Sequence, residues 1–83
     1  MQKALAKRSE IMETGDKVVL STIGTGLNKN KLMTSGGVWE GTVREIRGDE
    51  YHVYWVLVSG RSNSGSLITE VLEKHSRNEI KYA

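Results

Sequence analysis

The sequence predicts a mainly β protein, a small barrel of about five strands preceded by a short N-terminal helix or tail. The first observation is a hairpin pattern over residues 38–59, where two β-prone runs flank the polar break Arg47-Gly48-Asp49-Glu50. The second is that both Trp and two of the three Tyr lie in this stretch. Each such ring can bury roughly 150–250 Å². The third is the length of 83 residues, which suffices for one small domain with a single core. We therefore expect the core to form around this hairpin.

The first half of the chain predicts two strands separated by a long loop. A first strand is expected at about 17–22, and residues 23–37, rich in Gly and Asn, lack the periodicity of a helix or a strand. In the second strand Trp39, Gly41 and Val43 share one face. Ile46 then falls on the polar side, so a β-bulge near Arg44-Glu45 is needed to return it to the core.

The third predicted strand is apolar on both faces. Residues 51, 53, 55 and 57 form the first face, and the second face includes three candidate interface residues, Tyr54, Val56 and Val58. A strand that is apolar on both sides is buried on both sides. In so small a protein, the residues that bury the second face of this strand are expected to come from another subunit or from the N-terminal segment. The strand therefore predicts a homo-oligomer.

The C-terminal part is interpreted as a turn at 59–65, a short fourth strand at 66–69, and a helical turn over 70–74 capped by Thr69. A fifth strand is expected at 79–83. Five short strands with one long early loop and a turn before the last strand are typical of an SH3-like barrel. We assign residues 1–14 to an N-terminal helical or mobile segment and 15–83 to the barrel. The alternative is an open meander sheet that completes itself by dimerising.

Composition limits the setting of the protein. There is no Cys, so no disulfide or thiolate zinc site can form, and a cytoplasmic location is expected. No stretch approaches the ~20 apolar residues that cross a bilayer, so no membrane role is predicted. His52 and His75 have no second His nearby, and neither a metal site nor a cofactor is predicted.

Candidate ligand-binding residues lie in the 23–37 loop, in the 59–65 turn and on the two strands of the hairpin. The predicted set combines cations with aromatic side chains: Lys29, Lys31, Trp39, Tyr54 and Arg61. Aromatic faces attract a desolvated cation, although core packing is the simpler role for Trp39. Cations on one barrel edge, with Tyr54 stacking on a base, would instead follow a nucleic-acid backbone. The balance of 12 Lys and Arg against 10 Asp and Glu gives this second interpretation weak support.

Several segments resemble the plasmid-encoded type II dihydrofolate reductases, which are SH3-like barrels that assemble into a tetramer around a central pore. The resemblance spans about residues 15–73 and is carried by Gly15-Asp16-Lys17-Val18, Ser35-Gly36-Gly37-Val38-Trp39-Glu40-Gly41-Thr42-Val43, Tyr51-His52-Val53, Gly65-Ser66-Leu67 and Leu72-Glu73. It implies the barrel fold, a nicotinamide cofactor and a dihydrofolate substrate. Where the family has a Val-Gln-Ile-Tyr pore run, this chain has Leu67-Ile68-Thr69-Glu70. Leu32 and Met33 stand where a pore lysine is expected, with Lys31 the nearest cation.

Two hypotheses of function follow. The first is a non-enzymatic SH3-like binding module that acts as a homo-oligomer, with a protein or peptide as the favoured ligand and nucleic acid as the less supported one. Its ligand is expected to contact the 23–37 loop and the 59–65 turn, which border the same barrel edge in this fold. The second is a divergent NADPH-dependent reductase of the type II dihydrofolate reductase kind. In it Lys31, Ile68 and Thr69 would replace the missing pore residues.

Overall fold

The computed structural model describes residues 11–61 and 68–83, which form one antiparallel sheet with short helical segments between its strands. The strands are β1 (Lys17–Leu20), β2 (Val38–Arg47), β3 (Glu50–Ser59), β4 (Glu70–Ser76) and β5 (Ile80–Tyr82). Between β1 and β2 lie a short α-helix, α1 (Thr22–Thr25), and a first 3-10 helix (Asn28–Met33). A second 3-10 helix (Arg77–Glu79) connects β4 to β5.

The strand order is β4-β3-β2-β1-β5, with all neighbours antiparallel. The first four strands follow one another as a meander, and β5 returns to pair with β1. This confirms the predicted mainly β fold with five strands and a turn before the last one. In the part of the chain that the structure describes, edge strands β4 and β5 do not pair with each other, so the sheet is open at that seam. No helix among the described residues has the length and apolar character needed to cross a bilayer.

The β2–β3 hairpin is the longest pairing of the sheet and was predicted correctly. Its register runs from Val38 opposite Ser59 to Arg47 opposite Glu50. The register shifts between Val43 and Glu45, at the position of the expected bulge. Because of this extra residue, Ile46 packs against the core while Arg47 stays exposed.

The hairpin turn depends on Gly48, which has a φ of 60° at the first of the two turn positions. A Cβ at Gly48 would meet nothing within 4 Å, so a substitution there tests backbone conformation alone. We expect Gly48→Ala to lower the free energy of unfolding by about 1–2 kcal/mol, the cost of positive φ for an L-residue. Asp49→Ala, at the neighbouring turn position without positive φ, is the control and should change it by less than about 0.5 kcal/mol. Urea unfolding measures both, and equal effects would contradict this explanation.

The core lies on the inner face of the sheet, which is the face that carries Trp39 and Trp55. Trp55 is 1% exposed and Trp39 is 6% exposed. They pack with buried aliphatic side chains from other segments, namely Met12, Val18, Met33, Val43, Val53 and Ile80. The predicted N-terminal segment therefore contributes at least Met12 to the core, while Ile11 is exposed. Residues 1–10 of the segment 1–14, expected to be helical or mobile, lie outside the described residues, and residues 11–14 are not helical.

The segment between β1 and β2, which was expected to be one long irregular loop, is instead largely helical. Ser21 caps α1, because its hydroxyl accepts a hydrogen bond from the backbone N–H of Gly24 (3.1 Å). The backbone N–H of Ser21 also donates to the carbonyl of Glu79 (2.8 Å). The segment is therefore attached to the second 3-10 helix, and it covers the inner face of the sheet with Met33.

The predicted structure of residues 66–74 is wrong where it can be compared. Residues 70–74, expected to form a helical turn, belong to β4. Their burial alternates, with Val71, Glu73 and His75 facing inward and Leu72 and Lys74 exposed. Glu, Leu and Lys have good helix propensities, but pairing with β3 overrides them. Ile68 and Thr69 are not in a strand, and residues 66 and 67 lie outside the described part.

Candidate functional site

The residues predicted to bind a ligand do not converge on one site. Lys29 and Lys31 lie on the first 3-10 helix, and Arg61 is exposed just after β3. Trp39 is buried on the inner face of β2, whereas Tyr54 lies on the outer face of β3. The two loops expected to share an edge do meet where they are described. A Cβ at Gly60 would lie 3.1 Å from the Cα of Gly37.

An apolar groove opens where the segment between β1 and β2 crosses the inner face of the sheet. Its volume is about 520 Å³, and its lining comprises Val19, Leu20, Thr25, Met33, Thr34, Trp39 and Trp55. Both Trp side chains of the protein contribute to this groove. The indole N–H of Trp39 donates to the carbonyl of Gly36 (3.2 Å), which fixes the ring against the loop. The two tryptophans therefore serve as core side chains and as groove walls.

A second concave surface, the charged groove, lies beside the β2–β3 turn and the end of β4. It encloses about 660 Å³ and is lined by Lys29, Arg47, Asp49, Glu50, Glu73, Lys74, His75 and Ser76. Three of these residues are cationic and three are acidic. The charges are partly paired within the chain, since Lys29 lies 3.0 Å from Glu79 and Lys74 lies 3.9 Å from Glu50. The groove therefore has no strong preference for one sign of ligand charge.

A buried polar network lies between the two grooves. The indole N–H of Trp55 donates to Nε2 of His75 (2.9 Å), and Nδ1 of His75 lies 2.8 Å from Oε1 of Glu79. An indole nitrogen can only donate, so Nε2 of His75 must accept and Nδ1 must carry the proton. His75 is therefore neutral and donates to the carboxylate of Glu79. Lys29 joins the network through Glu79 and also donates to the carbonyl of Lys74 (2.9 Å).

The pKa values of this network follow from its burial and its hydrogen bonds. Burial lowers the pKa of His75 and outweighs the opposing effect of Glu79. Burial alone would raise the pKa of Glu79, but hydrogen bonds from His75, Ser76 and Lys29 lower it to about 2. Since both ring nitrogens of His75 already have partners, the ring is not free to act as a general base. Its role in this geometry is to join β3, β4 and the second 3-10 helix.

Sequence reasoning missed this network because it treated His75 as isolated. Its partners lie far away in sequence, apart from Glu79, four residues ahead. One local signal was present in Ser76-x-x-Glu79, a capping box in which each side chain bonds the backbone of the other residue. That pattern predicts the second 3-10 helix and would have placed Glu79 close to the end of β4. The contact with Trp55 had no comparable signal.

The outer face of the sheet carries the predicted oligomer interface. Val58 is 55% exposed, while Tyr54 and Val56 are half-buried within the single chain. The hydroxyl of Tyr54 donates to Glu70 (2.8 Å), and this bond is the main reason that the pKa of Tyr54 is raised. The Arg44 guanidinium lies over the Tyr54 ring, 4.8 Å from its centroid. Two further exposed apolar residues, Val38 and Leu72, share this face.

Among residues 11–61 and 68–83, no group of three His, Asp or Glu side chains is arranged to hold a metal ion. The chain matches no protein-family model, no curated protein and no solved structure. The case for a function therefore depends on the two grooves, the buried network and the outer face.

Proposed function

We propose that the protein is a non-enzymatic binding module of SH3-like type. Its apolar groove takes an apolar side chain of a protein or peptide ligand, and copies of the chain associate through the outer face of the sheet. The observation that carries the proposal is the groove itself. A volume of about 520 Å³ falls within the range of ligand pockets, and five of its seven lining residues are aliphatic or aromatic.

The composition of the groove favours an apolar group over a charged one. None of its seven lining residues is charged, and Thr25 and Thr34 are its two exposed polar residues. Burial of an apolar side chain stabilises a complex by about 25 cal/mol per Å² removed from water. The hydroxyls of Thr25 and Thr34 donate to the carbonyls of Thr22 and Lys31, and their oxygens can still accept from main-chain N–H groups on either side of such a residue. A peptide with a single apolar anchor fits this arrangement.

The charges described in the structure give less support to nucleic acid. Arg47 is paired with Glu45 at 2.8 Å, Lys29 with Glu79 at 3.0 Å, and Lys17 lies 4.0 Å from Glu40. A backbone of phosphates is bound most strongly by a continuous surface of free cations. Here acidic partners interrupt that surface. A protein or peptide is therefore the ligand class that we propose.

The groove is tested by titration with capped peptides that carry one Leu, Met, Phe or Tyr among Gly and Ser. We expect at least one peptide to bind with a Kd below about 1 mM and to shift the amide NMR signals of residues 19–20, 33–34 and 39. Thr34→Arg places a long charged side chain at the groove and should weaken binding at least about tenfold. Thr22→Arg adds the same group to α1 outside the groove lining and should leave binding within about twofold.

Three outcomes would contradict the proposal. The first is that no peptide of the pool shifts the groove signals at millimolar concentration. The second is equal weakening by Thr34→Arg and Thr22→Arg. The third is NADPH oxidation well above background in the presence of dihydrofolate, which would instead support the reductase hypothesis. Tight, salt-sensitive binding of a mixed-sequence oligonucleotide, with no peptide binding, would instead support nucleic acid as the ligand.

A further inference from the structure

The outer face of β2, β3 and β4 is organised in cross-strand rows that differ in charge. The acidic row consists of Glu40, Val56 and Glu70, which are paired side by side. The central row, two residues further along each strand, consists of Thr42, Tyr54 and Leu72. The basic row lies beyond it and contains Arg44 and Glu45 at the bulge, His52 and Lys74. Successive rows are about 7 Å apart, because two residues of an extended strand span that distance.

This order makes the face complementary to itself in one orientation. A two-fold axis that lies between two such faces, parallel to the central row, reverses the strand direction. It places each acidic row over the basic row of the other copy. A two-fold axis along the strands would instead keep each row over itself and bring Glu40 opposite Glu70. The charges therefore favour the first arrangement over the second.

We infer that two copies of this chain pack face to face through these rows, with Tyr54 and Leu72 at the centre. The inference rests on the proposed self-association through the outer face and is independent of the groove. Glu40 of one copy then faces Arg44 of the other, and Glu70 faces Lys74. Leu72, which is 59% exposed in the single chain, is covered by the same residue of the second copy. Sheets that pack in this way lie about 10 Å apart with strands about 30° from alignment.

Other charged groups of the face reduce the charge difference between the acidic and basic rows without reversing it. Glu45 also lies beside His52, but its carboxylate is bound to Arg47 at 2.8 Å. Glu50 lies 3.0 Å from His52 and 3.9 Å from Lys74, so it partly neutralises the basic row. Lys17 donates to the hydroxyl of Thr42 (2.9 Å) and lies 4.0 Å from Glu40, at the limit of an ion pair. Val38 and Val58 lie beyond the acidic row, so they occupy the rim of the contact. The centre of the contact is therefore Tyr54 and Leu72, two rows away from Val58.

Sedimentation equilibrium of the full chain tests whether the association occurs and where. We expect a monomer–dimer equilibrium with a Kd on the order of 10–100 μM at low salt, weakening as salt screens the charge pairs. Leu72→Ser should raise this Kd at least about tenfold. Ile23→Ser, which removes a similarly exposed side chain (54%) from α1, is the matched control and should leave the Kd within about twofold. A wild-type protein that stays monomeric up to millimolar concentration would overturn this inference and the proposed self-association together.

A charge exchange tests the arrangement itself. Glu40→Lys replaces two attractive contacts of the dimer by two repulsive ones and should raise the Kd about tenfold or more. Adding Arg44→Glu to the same chain should restore the Kd to within about threefold of wild type. The doubly exchanged chain should also fail to form mixed dimers with wild type, as measured by energy transfer between labelled copies. A dimer that tolerates Glu40→Lys, or that mixes freely with the doubly exchanged chain, would overturn the arrangement and leave self-association and the groove intact.

Discussion

Gly24→Ala is expected to lower the free energy of unfolding by more than about 3 kcal/mol, beyond the usual cost of overpacking a core. A Cβ at this position would lie 2.1 Å from the backbone carbonyl oxygen of Glu79 and 3.2 Å from Cδ2 of Leu20. The carbonyl cannot move aside freely, because it accepts the backbone N–H of Ser21. The substitution therefore forces α1 away from the second 3-10 helix.

Gly26→Ala is the matched control, since it adds the same methyl group two residues away. The nearest atom to its Cβ would be the carbonyl oxygen of Ile23 at 3.5 Å, an ordinary contact. Gly26 has a φ of −82°, which any residue adopts, so Ala should leave stability unchanged or raise it by up to about 1 kcal/mol. Urea or thermal unfolding distinguishes the two variants. A Gly24→Ala protein as stable as Gly26→Ala would show that α1 and the 3-10 helix are not packed as described.

Acid is expected to unfold the protein through the buried pair His75 and Glu79. The pKa of Glu79 is about 2 in the folded chain and 4.5 ordinarily. Between these pH values the unfolded chain therefore binds a proton at this carboxyl and the folded chain does not. The contribution of Glu79 to stability is fully present above pH 4.5 and is lost as pH falls towards 2, by about 3 kcal/mol in order of magnitude. The pKa of His75 is also lowered, so its contribution begins to decline already below about pH 6.5. Both effects have the same sign.

The measurement is the free energy of unfolding by urea at several pH values between 7 and 2. Glu79→Gln removes the titrating carboxyl, so its stability should be lower at neutral pH. Between pH 4.5 and 2 it should lose less stability than the wild type, because the contribution of His75 remains. Glu45→Gln removes an exposed acid, 49% accessible at its side chain, and should retain the steep acid dependence of the wild type. If the wild-type stability were constant from pH 5 to 3, Glu79 would not be held by His75, Ser76 and Lys29 as described.

The hairpin was predictable because its information is local. Alternation along residues 51–57 identified the inward face, and the misplaced Ile46 required a bulge that the register shift at Val43 and Glu45 confirms. The turn at Gly48 followed from residue type. In contrast, β4 was misjudged as helical because the preferences of Glu, Leu and Lys act within a few residues. Its pairing with β3 depends on contacts about twenty residues away.

The site was harder to predict than the fold, for a physical reason. Lys29 meets Glu79 only when the segment between β1 and β2 lies against the second 3-10 helix, and Trp55 meets His75 only when β4 pairs with β3. No periodicity encodes such contacts. The sequence did identify Trp39 and Trp55 as core residues, but their position along a groove became apparent only when the helical segment covered them. Their shared groove is thus a product of tertiary structure.

The bulge at Arg44 also limits how this chain can change in length. Because one extra residue there turns Ile46 inward and Arg47 outward, deleting it would reverse both side chains while leaving the composition almost unchanged. Insertions or deletions in the distal half of the hairpin should therefore survive selection in pairs and not singly. In natural variants, we therefore expect this half of the hairpin to gain or lose an even number of residues. That requirement is stricter than the identity of any one of its exposed residues.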